Sequence, residues 1–560
     1  MRFLQIAIFL VLTTMMPVFG QKVNNPKFII PLNADRADAL EYPFNAVKPG
    51  DTVWIQSGTR DHLQILNFHG QSGHPIVFAN QNGQVVIDTE NNFGLSFNGC
   101  SFFKLTGKSG SYGSYGIYIR RVSFKDGIGI SASSKSTEFE IENCEVANIG
   151  SIGIQTKTEP DCKDSGTLRE GFTQRNTVIH DCYVHDVGTE GFYIGYNDHD
   201  GFYASDCKKT IYASELVGTK IYNNRIERTG WDGLQVASAI SDCLIYDNTV
   251  VDSGILMTSG QMAGIMIGGG TQARCYNNKI IDSYGSGIQV FGNGGTVVYN
   301  NLIIRPAKRY QPDNPDAREY GIYLFDKTNE LHTFYGIYNN TIIQPKSDGI
   351  RVANTVDFAV QIYNNSVVDP GAYDIYEHDN TAWVGNDAYV FNEGRSQMVV
   401  ASNNYFDRSL DAAMFVNVAG NNFRLQVTSP MVDTGKALIA EGVTTDLDDR
   451  VRPVGKAFDI GAYEYSESQS VGYVERDADF RVGSLALGAG KQLILTIDGS
   501  RMMKVHLCMT DLLGRVLFDR QNLDIAVGTN KLTIPANVSG MVILTIQSDR
   551  FSYARKIVLL

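Results

Sequence analysis

Two acidic residues, Glu190 and Asp232, occupy the same position in two neighbouring repeats of the sequence, TEGFYI and WDGLQV. If the repeats stack as coils of a solenoid, the two residues lie on adjacent rungs, about 5 Å apart. Carboxylates held that close repel each other, which raises the pKa of one of them or recruits a cation. The pair is therefore a candidate for acid and base chemistry or for metal binding.

Further polar residues fall at the same end of the same repeats. Tyr193 belongs to TEGFYI itself, and Lys157 follows the equivalent strand of the preceding repeat. A polar run also comes directly after TEGFYI and consists of Tyr196, Asn197, Asp198, His199 and Asp200. A solvated turn would explain this run taken alone. Its coincidence with the stacked Glu190 and Asp232 favours a functional site instead.

Two reactions on a polysaccharide fit this set of residues. In β-elimination on a uronate polymer, a cation or an Arg neutralises the sugar carboxylate, and Lys157, Tyr193 or His199 removes the neighbouring proton. Asp198 and Asp200, with the stacked pair, could hold Ca²⁺ for that purpose. In glycoside hydrolysis, two of the same carboxyl groups act as acid and as base or nucleophile. Their separation then decides the outcome, about 5 to 5.5 Å predicting retention and about 6.5 to 9.5 Å inversion.

A polysaccharide lyase is the first expectation, and a glycoside hydrolase on the same fold is the alternative. A third hypothesis is a glycan-binding or adhesive surface protein without turnover, in which Asp198 and Asp200 hold a structural cation. We expect no required cofactor, with Ca²⁺ as the one candidate.

A repeat that runs through most of the chain must position these residues. Residues 221–236, IYNNRIERTGWDGLQV, combine an NN pair with a later Gly-apolar-polar-apolar stretch, and the pattern recurs from 141 to 404. Each unit holds three short alternating runs with turn residues between them and no amphipathic segment of helical length. This periodicity predicts an all-β solenoid with three strands per coil, a parallel β-helix.

The second residue of each NN pair indicates which side of the turn faces inward. It is Asn at positions 224, 248, 278, 301, 340, 365 and 404, and Cys at 144 and 182. A position that accepts only Asn or the usually buried Cys is interior. There, stacked Asn side chains can hydrogen-bond along the axis at about 4.8 Å spacing. The alternative is a surface turn that favours Asn.

Insertions in the longer repeats cluster around one strand of each coil. They follow it at 156–178, 195–218, 325–335 and 377–398, or precede it at 253–261 and 305–318. We therefore expect them to wall a groove over that strand face. Alternation along the strands predicts the outward-pointing residues of this face, which are Gln155, Tyr193, Gln235, Met266, Gln289, Tyr323, Arg351 and Tyr376. All of them except Tyr193 and Met266 are predicted to bind substrate. Amides and aromatic rings suit sugars, although exposed parallel sheets also carry such residues without a ligand.

The cysteines offer two disulfide candidates. Cys162 and Cys207 lie in two long insertions that should emerge side by side, which makes them the better candidate. Cys144 and Cys182 share one ladder position in successive repeats and lie within disulfide range if their coils are adjacent.

The opening coils resemble a known superfamily. VKPGDTVWIQSG at 47–58 and PIVFANQNGQVVID at 75–88 resemble the first coils of the pectate-lyase-like right-handed β-helix proteins, which include alginate and chondroitin lyases. With the repeats, the resemblance covers residues 28–465 and implies a right-handed parallel β-helix over 21–465. The superfamily includes lyases, hydrolases, epimerases and phage adhesins, so it does not choose a reaction. No polygalacturonase motif and no lyase base is recognisable.

Residues 421–465 resemble the terminal segment of many bacterial secreted β-helices, through TSPMVDTG and VRPVGKAFDIGAYEY. The resemblance implies that they close the last coil as a polar cap. Asp446, Asp448 and Asp449 could bind Ca²⁺ there instead.

Residues 466–473 are a polar linker, and 474–560 alternate as strands of a small Ig-like β-sandwich. Within 474–560, TDLLGRVL, NKLTIP, SGMVILTI and the terminal RKIVLL resemble the C-terminal sorting domain of the type IX secretion system of Bacteroidota. The resemblance implies that the type IX machinery exports the protein across the outer membrane. An Ig-like adhesion module is the alternative.

Residues 1–20 have Arg2, an apolar run and small residues before Gln21, the pattern of a secretory signal peptide. A membrane anchor is the alternative, but Gln5 interrupts the apolar run. The formal net charge of -12 disfavours a nucleic-acid partner. We expect a secreted or cell-surface monomer whose partner is an extracellular polysaccharide.

Overall fold

The computed structural model describes residues 27–109, 115–292, 294–310, 318–325, 334–353, 359–371, 389–393, 398–466, 480–488, 492–499, 502–511, 515–535, 540–547 and 552–559. The predicted signal peptide at 1–20 lies outside these residues, as does almost all of the predicted linker. Within them the helical segments are two single 3₁₀ turns, Phe44–Ala46 and Ser165–Thr167. None of the described helices is long and apolar enough to cross a membrane.

Strands Ile154–Thr156, Phe192–Ile194 and Leu234–Val236 belong to a twelve-stranded parallel sheet, here called the front sheet. Each coil contributes one strand, and the side chains at both ends of these three-residue strands are buried. The other front-sheet strands are Arg36–Asp38, Leu63–Leu66, Phe93–Asn98, Ile128–Ser133, Ile265–Ile267, Ile288–Val290, Ile322–Leu324, Ile350–Val352 and Val390–Asn392.

The remaining strands of the coils form a 23-stranded parallel arrangement, here called the back sheet, which bends at the NN turns. Its strands before the turns are Thr137–Glu142, Thr177–His180, Lys220–Tyr222, Cys243–Tyr246, Ala273–Tyr276, Val297–Tyr299, Tyr335–Tyr338, Val360–Tyr363 and Val399–Ser402. Those after the turns are Cys144–Ile149, Tyr183–Val187, Arg225–Thr229, Thr249–Val251, Lys279–Ile281, Leu302–Ile304, Thr341–Ile343, Ser366–Val368 and Tyr405–Asp407. The opening coils add Phe28–Ile30, Thr52–Arg60, Ile76–Thr89, Ser101–Thr106 and Ile117–Val122.

One continuous apolar core fills the space between the front and back sheets. Ile154, Leu234 and Ile288 from the front sheet and Ile221 and Ile303 from the back sheet are all completely buried in it. The predicted parallel β-helix with three strands per coil is therefore confirmed. Successive coils place similar residues above one another, so Ile, Val and Leu form columns in this core.

The predicted asparagine ladder is present. The Asn residues at 224, 248, 278, 301, 340 and 365 each donate an Nδ2 hydrogen bond to the next Asn Oδ1, at 2.9 to 3.1 Å. Each Nδ2 also donates to a backbone carbonyl of the preceding coil, as Asn301 does to Cys275 O at 2.9 Å. The preceding residue adopts positive φ, as Asn223 does at 54°. Asn tolerates this conformation better than most residues, so both members of the pair have a physical reason to be Asn.

We expect Asn301→Ala to lower the free energy of unfolding by about 2 to 3 kcal/mol, since each buried polar group left unpaired costs about 1 to 3 kcal/mol. The backbone N of Asn278 loses its acceptor in this variant, and Asn278 Nδ2 loses one of its acceptors. Urea denaturation followed by circular dichroism measures the change. Asn404→Ala, at the half-buried end of the ladder, is the control and should cost less because water can replace the lost bonds. Equal losses at both positions would contradict this account.

Residues 421–465 lie along the outside of the back sheet, whereas the sequence predicts that they close the last coil. The first Asn of successive NN pairs binds this segment: Asn300 donates to Thr445 O, and Asn364 donates to Lys436 O. Leu438, Val443 and Phe458 pack on a row of back-sheet tyrosines, Tyr299, Tyr338 and Tyr363. Those rings are apolar surface that would otherwise face water, which is the physical reason for the different position.

The acidic residues of this segment have protein partners. Asp446 accepts hydrogen bonds from the backbone N of Asp448, Arg450 and Glu464, and Asp448 forms an ion pair with Arg424. Their carboxylates therefore stabilise the segment's own loops. The alternative of a Ca²⁺ site gains no support from these contacts.

Two antiparallel sheets account for the described residues of 480–559. One contains Phe480–Gly488, Gln492–Gly499 and Gly528–Pro535. The other contains Val516–Ile525, Met503–Asp511, Gly540–Gln547 and Ser552–Leu559. Leu495, Leu507 and Leu544 from both sheets are buried in one core, so these strands form a small β-sandwich. Its Ig-like topology and its role as an export signal stay predictions.

Candidate functional site

The outward residues of the front sheet form one continuous column across the coils. The register aligns, in order, Gln155, Tyr193, Gln235, Met266, Gln289, Tyr323, Arg351 and Phe391. Seven of these eight residues are the ones that alternation predicts. Phe391 takes the place expected for Tyr376, and Tyr376 lies outside the described residues.

This column is less exposed than an open ribbon would be. Gln155 is 8% exposed, Gln235 1% and Gln289 4%, while Tyr193 and Tyr323 are half-buried. The flanking insertions are responsible, because they cover the edges of the front sheet. The column is therefore the floor of a covered groove rather than a flat platform.

The first two insertions form one cross-linked wall at the carboxyl-terminal ends of the front-sheet strands. A disulfide joins Cys162 to Cys207, and strands Thr173–Arg175 and Glu215–Val217 pair in parallel and continue to Ala239–Ser241. Arg169 Nε lies 3.1 Å from Glu215 Oε1. Cys144 and Cys182, the other disulfide candidates, are free and buried. A hairpin of Phe202–Ala204 and Lys209–Ile211 completes the wall.

We expect replacement of Cys162 and Cys207 by Ser to lower stability by about 2 to 4 kcal/mol, the usual range for a native disulfide. The loss should concentrate in the wall, because the coils beneath it keep their ladder and core. Limited proteolysis measured by mass spectrometry should then show new cuts in the two loops around Cys162 and Cys207 before any cut in the coil strands. A uniform loss of protection along the whole chain would contradict the local role of the bridge.

Tyr193 is the centre of the charged residues in the groove. The Lys157 ammonium lies 4.5 Å from the centroid of the Tyr193 ring and 5.0 Å from that of Tyr196, and it forms a 2.7 Å ion pair with Glu159. Burial, with the nearby Glu190 and Glu159 carboxyl groups, raises the pKa of the Tyr193 phenol. Its hydroxyl therefore stays protonated at neutral pH. Glu159 is not among the residues predicted from the sequence, although its position two residues after Lys157 indicates the same loop.

Glu190 and Asp232 occupy adjacent rungs, as their repeat positions predict. The Gly191 backbone N donates to Asp232 O at 3.1 Å, which sets the two residues side by side. Burial raises the pKa of the Glu190 carboxyl. Burial and then the Glu190 charge hold the pKa of Asp232 well above its usual range. Both carboxyl groups therefore keep a proton more readily than an exposed acid does.

The two carboxyl groups differ in access to the groove. Glu190 is 4% exposed and acts electrostatically on Tyr193 and Lys157. Asp232 has no exposed surface, and its Oδ1 accepts a 2.6 Å hydrogen bond from the Ala263 backbone N. Asp232 therefore positions the start of the next coil and lies behind the groove surface. Glu190 is therefore the member of the pair that keeps some exposed surface, whereas Asp232 has none.

His199 lies inside the loop wall. Its side chain is about 9% exposed, its Nε2 is 3.4 Å from Glu215 Oε1, and its ring packs over Gly270. A Cβ atom at Gly270 would lie 2.2 Å from His199 Cδ2, so only Gly permits this packing. These contacts fit a structural role in the wall better than the predicted role as a base.

Asp198 and Asp200, the candidate Ca²⁺ ligands, are exposed at the same loop. In the part of the chain that the structure describes, neither joins a group of three or more His, Cys, Asp or Glu ligand atoms. One such group contains Glu140, Glu142 and His180 on the back sheet, where Lys104 already pairs with both carboxylates. Ca²⁺ binding at Asp198 and Asp200 therefore stays a prediction.

Arg351 closes the other end of the described groove. Its guanidinium pairs with Asp348 at 3.0 Å and with Glu393 at 3.1 Å, and it lies over the rings of Tyr320 and Phe391. Two carboxylates thus neutralise this Arg. It can donate hydrogen bonds to a ligand, but it presents little net positive charge.

Glu319 is a second acidic residue of the groove that the sequence analysis missed. Its Oε2 accepts hydrogen bonds from Ser286 N at 2.9 Å, Ser286 Oγ at 2.6 Å and Gln289 Nε2 at 3.5 Å. Burial raises the pKa of its carboxyl group. Glu319 precedes its strand by one residue more than Glu190 does, so alignment of the repeats did not place the two together.

Comparisons with known proteins agree with the architecture. A family model described as the right handed beta helix region matches residues 174–303 and 210–389. No curated protein matches the sequence. Among solved structures, the pectate lyase Pel9A is similar at 14% identity and a TM-score of 0.40, covering 75% of this chain and 90% of that one.

A GH136 lacto-N-biosidase from Eubacterium ramulus is similar at 12% identity and a TM-score of 0.40, covering 65% of this chain and 63% of that one. The tailspike protein 2 of bacteriophage CBA120 is similar at 11% identity and a TM-score of 0.30, covering 94% and 76%. The family match supports the right-handed β-helix that the sequence predicts. Likeness at these levels does not indicate a reaction.

Proposed function

We propose that this right-handed β-helix protein hydrolyses a polysaccharide bound along the front-sheet groove, with Glu190 as the general acid. The observation that carries the proposal is the position of Glu190 beside Tyr193, at the groove edge, with a pKa raised by burial. A carboxyl group that keeps its proton to a higher pH than an ordinary Glu can protonate the leaving oxygen of a glycosidic bond.

Glu159 supplies the second carboxylate that hydrolysis needs. Its side chain is 66% exposed, it is paired with Lys157, and it acts on the same Tyr193 hydroxyl as Glu190 does. One buried acid and one solvated carboxylate around a single phenol are the two environments that acid and base require. Asp198, exposed and also acting on Tyr193, is the alternative base.

Three contacts support hydrolysis over β-elimination, the reaction expected first from the sequence. Tyr193 has a raised pKa and is a poor base, and Lys157 is already engaged in an ion pair with Glu159. Arg351 is already paired with two carboxylates, so it offers little charge to neutralise a uronate. A lyase would need a further cation at this site. The glycan-binding hypothesis accounts for the groove but gives the buried acid no role.

One experiment separates the three functions. The mature protein is incubated with neutral, amino-sugar and uronate polysaccharides, with and without Ca²⁺, while reducing ends and the ultraviolet absorbance of unsaturated sugars are recorded together. Reducing ends without absorbance support the proposal. Reducing ends with absorbance mean a lyase, and retention on a polysaccharide gel without any product means a binding protein.

The proposal includes a location outside the cell. The signal-peptide pattern of residues 1–20 and the resemblance of 474–560 to type IX sorting domains support export of a monomeric enzyme to an extracellular polysaccharide. Mass spectrometry of both termini of the exported protein tests this. We expect a start at Gln21 and loss of the C-terminal domain; retention of both termini would contradict the export route.

A further inference from the structure

Three buried side chains, two in the floor of the groove and one directly behind it, have an oxygen atom without a hydrogen-bond donor. They are Gln235 Oε1, Gln289 Oε1 and Asp232 Oδ2, on residues that are 1%, 4% and 0% exposed. An acceptor buried without a donor is costly, so such atoms are uncommon in folded proteins. Because Gln235 and Gln289 belong to the outward column, their free oxygens lie where a groove ligand can supply the missing donors.

The orientation of the Gln289 amide follows from its neighbour. Gln289 Nε2 donates to Glu319 Oε2, an oxygen that also accepts from the Ser286 backbone N, so the amide oxygen is the unpartnered atom. The orientation of the Gln235 amide is less constrained. Its partner is the amide of Asn197, and the nitrogen and oxygen atoms of both amides could be interchanged together without losing the hydrogen bond. The orientation of the Gln289 amide beside Glu319 is therefore the better determined of the two.

The charges around Glu319 also favour a cationic ligand. Within the described ranges, no Lys, Arg or His forms an ion pair with Glu319 or with Asp232. Lys346 acts on Glu319 at longer range, but its ammonium donates to the Tyr310 carbonyl. Lys157 and Arg351, at the two ends of this part of the groove, are neutralised by their own carboxylates. A ligand with positive charge would favour the ionised form of the buried Glu319 carboxyl group and gain attraction from it, which a neutral or negative ligand cannot do.

Aromatic rings complete the surroundings of this position. Tyr323 follows Gln289 on the next rung, and its ring lies 4.9 Å from that of Tyr320 and 6.0 Å from that of Phe291. Aromatic faces attract both the C-H surface of a sugar and a neighbouring cation. The position therefore combines the Gln289 acceptor, the Glu319 carboxyl group and aromatic rings. These groups suit a sugar ring that carries an amino group.

We infer that Gln289 and Glu319 bind the protonated amino group of a sugar, so that the polysaccharide accepted by the groove carries free amines. The inference rests on the proposed function, because it names the substrate class of the same groove. An ammonium donates one hydrogen bond to Gln289 Oε1 and places its charge beside the Glu319 carboxylate. An N-acetylated sugar lacks the charge, and a uronate reverses it.

The test compares matched chito-oligosaccharides with free and with N-acetylated amines, at a pH where the free amines are protonated. Isothermal titration calorimetry uses the full mature protein carrying Glu190→Gln, which prevents turnover. We expect about tenfold or tighter binding of the free-amine ligand, as is usual for one additional charged hydrogen bond. Added salt should weaken this binding and leave that of the N-acetylated ligand nearly unchanged.

Further substitutions in the Glu190→Gln background identify the residues. Glu319→Gln should remove most of the preference while binding of the N-acetylated ligand changes less than about twofold. Gln289→Met, which copies Met266 of the same column, should reduce the preference as well. Gln155→Met is the matched control, because it makes the same change in the same column away from Glu319, and it should leave the preference intact. Thermal unfolding checks that each variant is folded.

The outcomes separate this inference from the proposed function. Equal binding of the two ligands overturns the inference, and so does a preference for the free-amine ligand that survives both Glu319→Gln and Gln289→Met. In either case, cleavage of a polysaccharide by the native enzyme would still support hydrolysis. A preference lost in both variants without cleavage of any polymer supports the amine subsite and overturns the hydrolase.

Discussion

Glu190→Gln should lower the rate of polysaccharide hydrolysis by about 100-fold to 10,000-fold, the usual contribution of a general acid. The variant keeps the shape and hydrogen bonds of the side chain but cannot donate the proton. Because the groove is unchanged, binding measured by titration calorimetry should stay within about threefold of the native value. Parallel losses of binding and rate would instead assign Glu190 to substrate binding.

Glu170→Gln is the matched control for this prediction. Glu170 is an exposed Glu on the same loop wall, so its replacement removes one carboxylate without touching the groove acid. We expect its activity to match that of the native enzyme. A comparable loss at Glu170 would mean that the net charge of the wall, rather than the proton on Glu190, determines the rate.

The pH dependence of kcat/KM gives an independent measure of the same group. The raised pKa of Glu190 means that the active, protonated form dominates at low pH and is lost as the pH rises through that pKa. We therefore expect an alkaline limb at a higher pH than an ordinary Glu would give. The limb should disappear from the residual activity of Glu190→Gln, and its persistence there would assign it to another group.

Arg452→Met should lower the free energy of unfolding by about 3 to 5 kcal/mol, the cost of removing one partner from a buried ion pair. Arg452 and Glu464 are both completely buried, and their charged groups are 2.6 Å apart. Arg452 also donates to Asn300 Oδ1 at 3.1 Å, which joins the segment 421–465 to the asparagine turns of the back sheet. The variant leaves the Glu464 carboxylate buried without its cation.

Urea denaturation and limited trypsin digestion would measure this loss. Arg450→Met is the matched control, because the Arg450 side chain is 24% exposed and pairs with Asp448 near the surface. Exposed pairs contribute about 0 to 1 kcal/mol, so this variant should change stability little. A similar loss in both variants would show that positive charge in the segment, rather than the buried pair, holds it to the back sheet.

The sequence by itself determined the architecture, because every coil of a solenoid repeats the same pattern of buried and exposed residues at a regular spacing. Asn224 and its equivalents could be assigned to the interior since only one side of an NN turn can face the core. The outward column from Gln155 to Arg351 followed from alternation, and the register of the front sheet agrees with it. The adjacency of Glu190 and Asp232 followed from the same argument. The inward and outward positions and the stacking of equivalent residues can be predicted from the local repeat alone, because they do not depend on contacts with the insertions.

Only the tertiary structure decided which of these residues face a ligand. Asp232 and His199 fit the pattern of a site but are buried against Ala263 and Gly270, on coils that follow them in the chain. Glu159 and Glu319 were missed for the opposite reason, since their loops bring them to the groove from positions outside the repeat. The exposure of a side chain depends on which residues pack over it. Here those residues belong to irregular insertions, which have no repeating sequence pattern from which their contacts could be predicted.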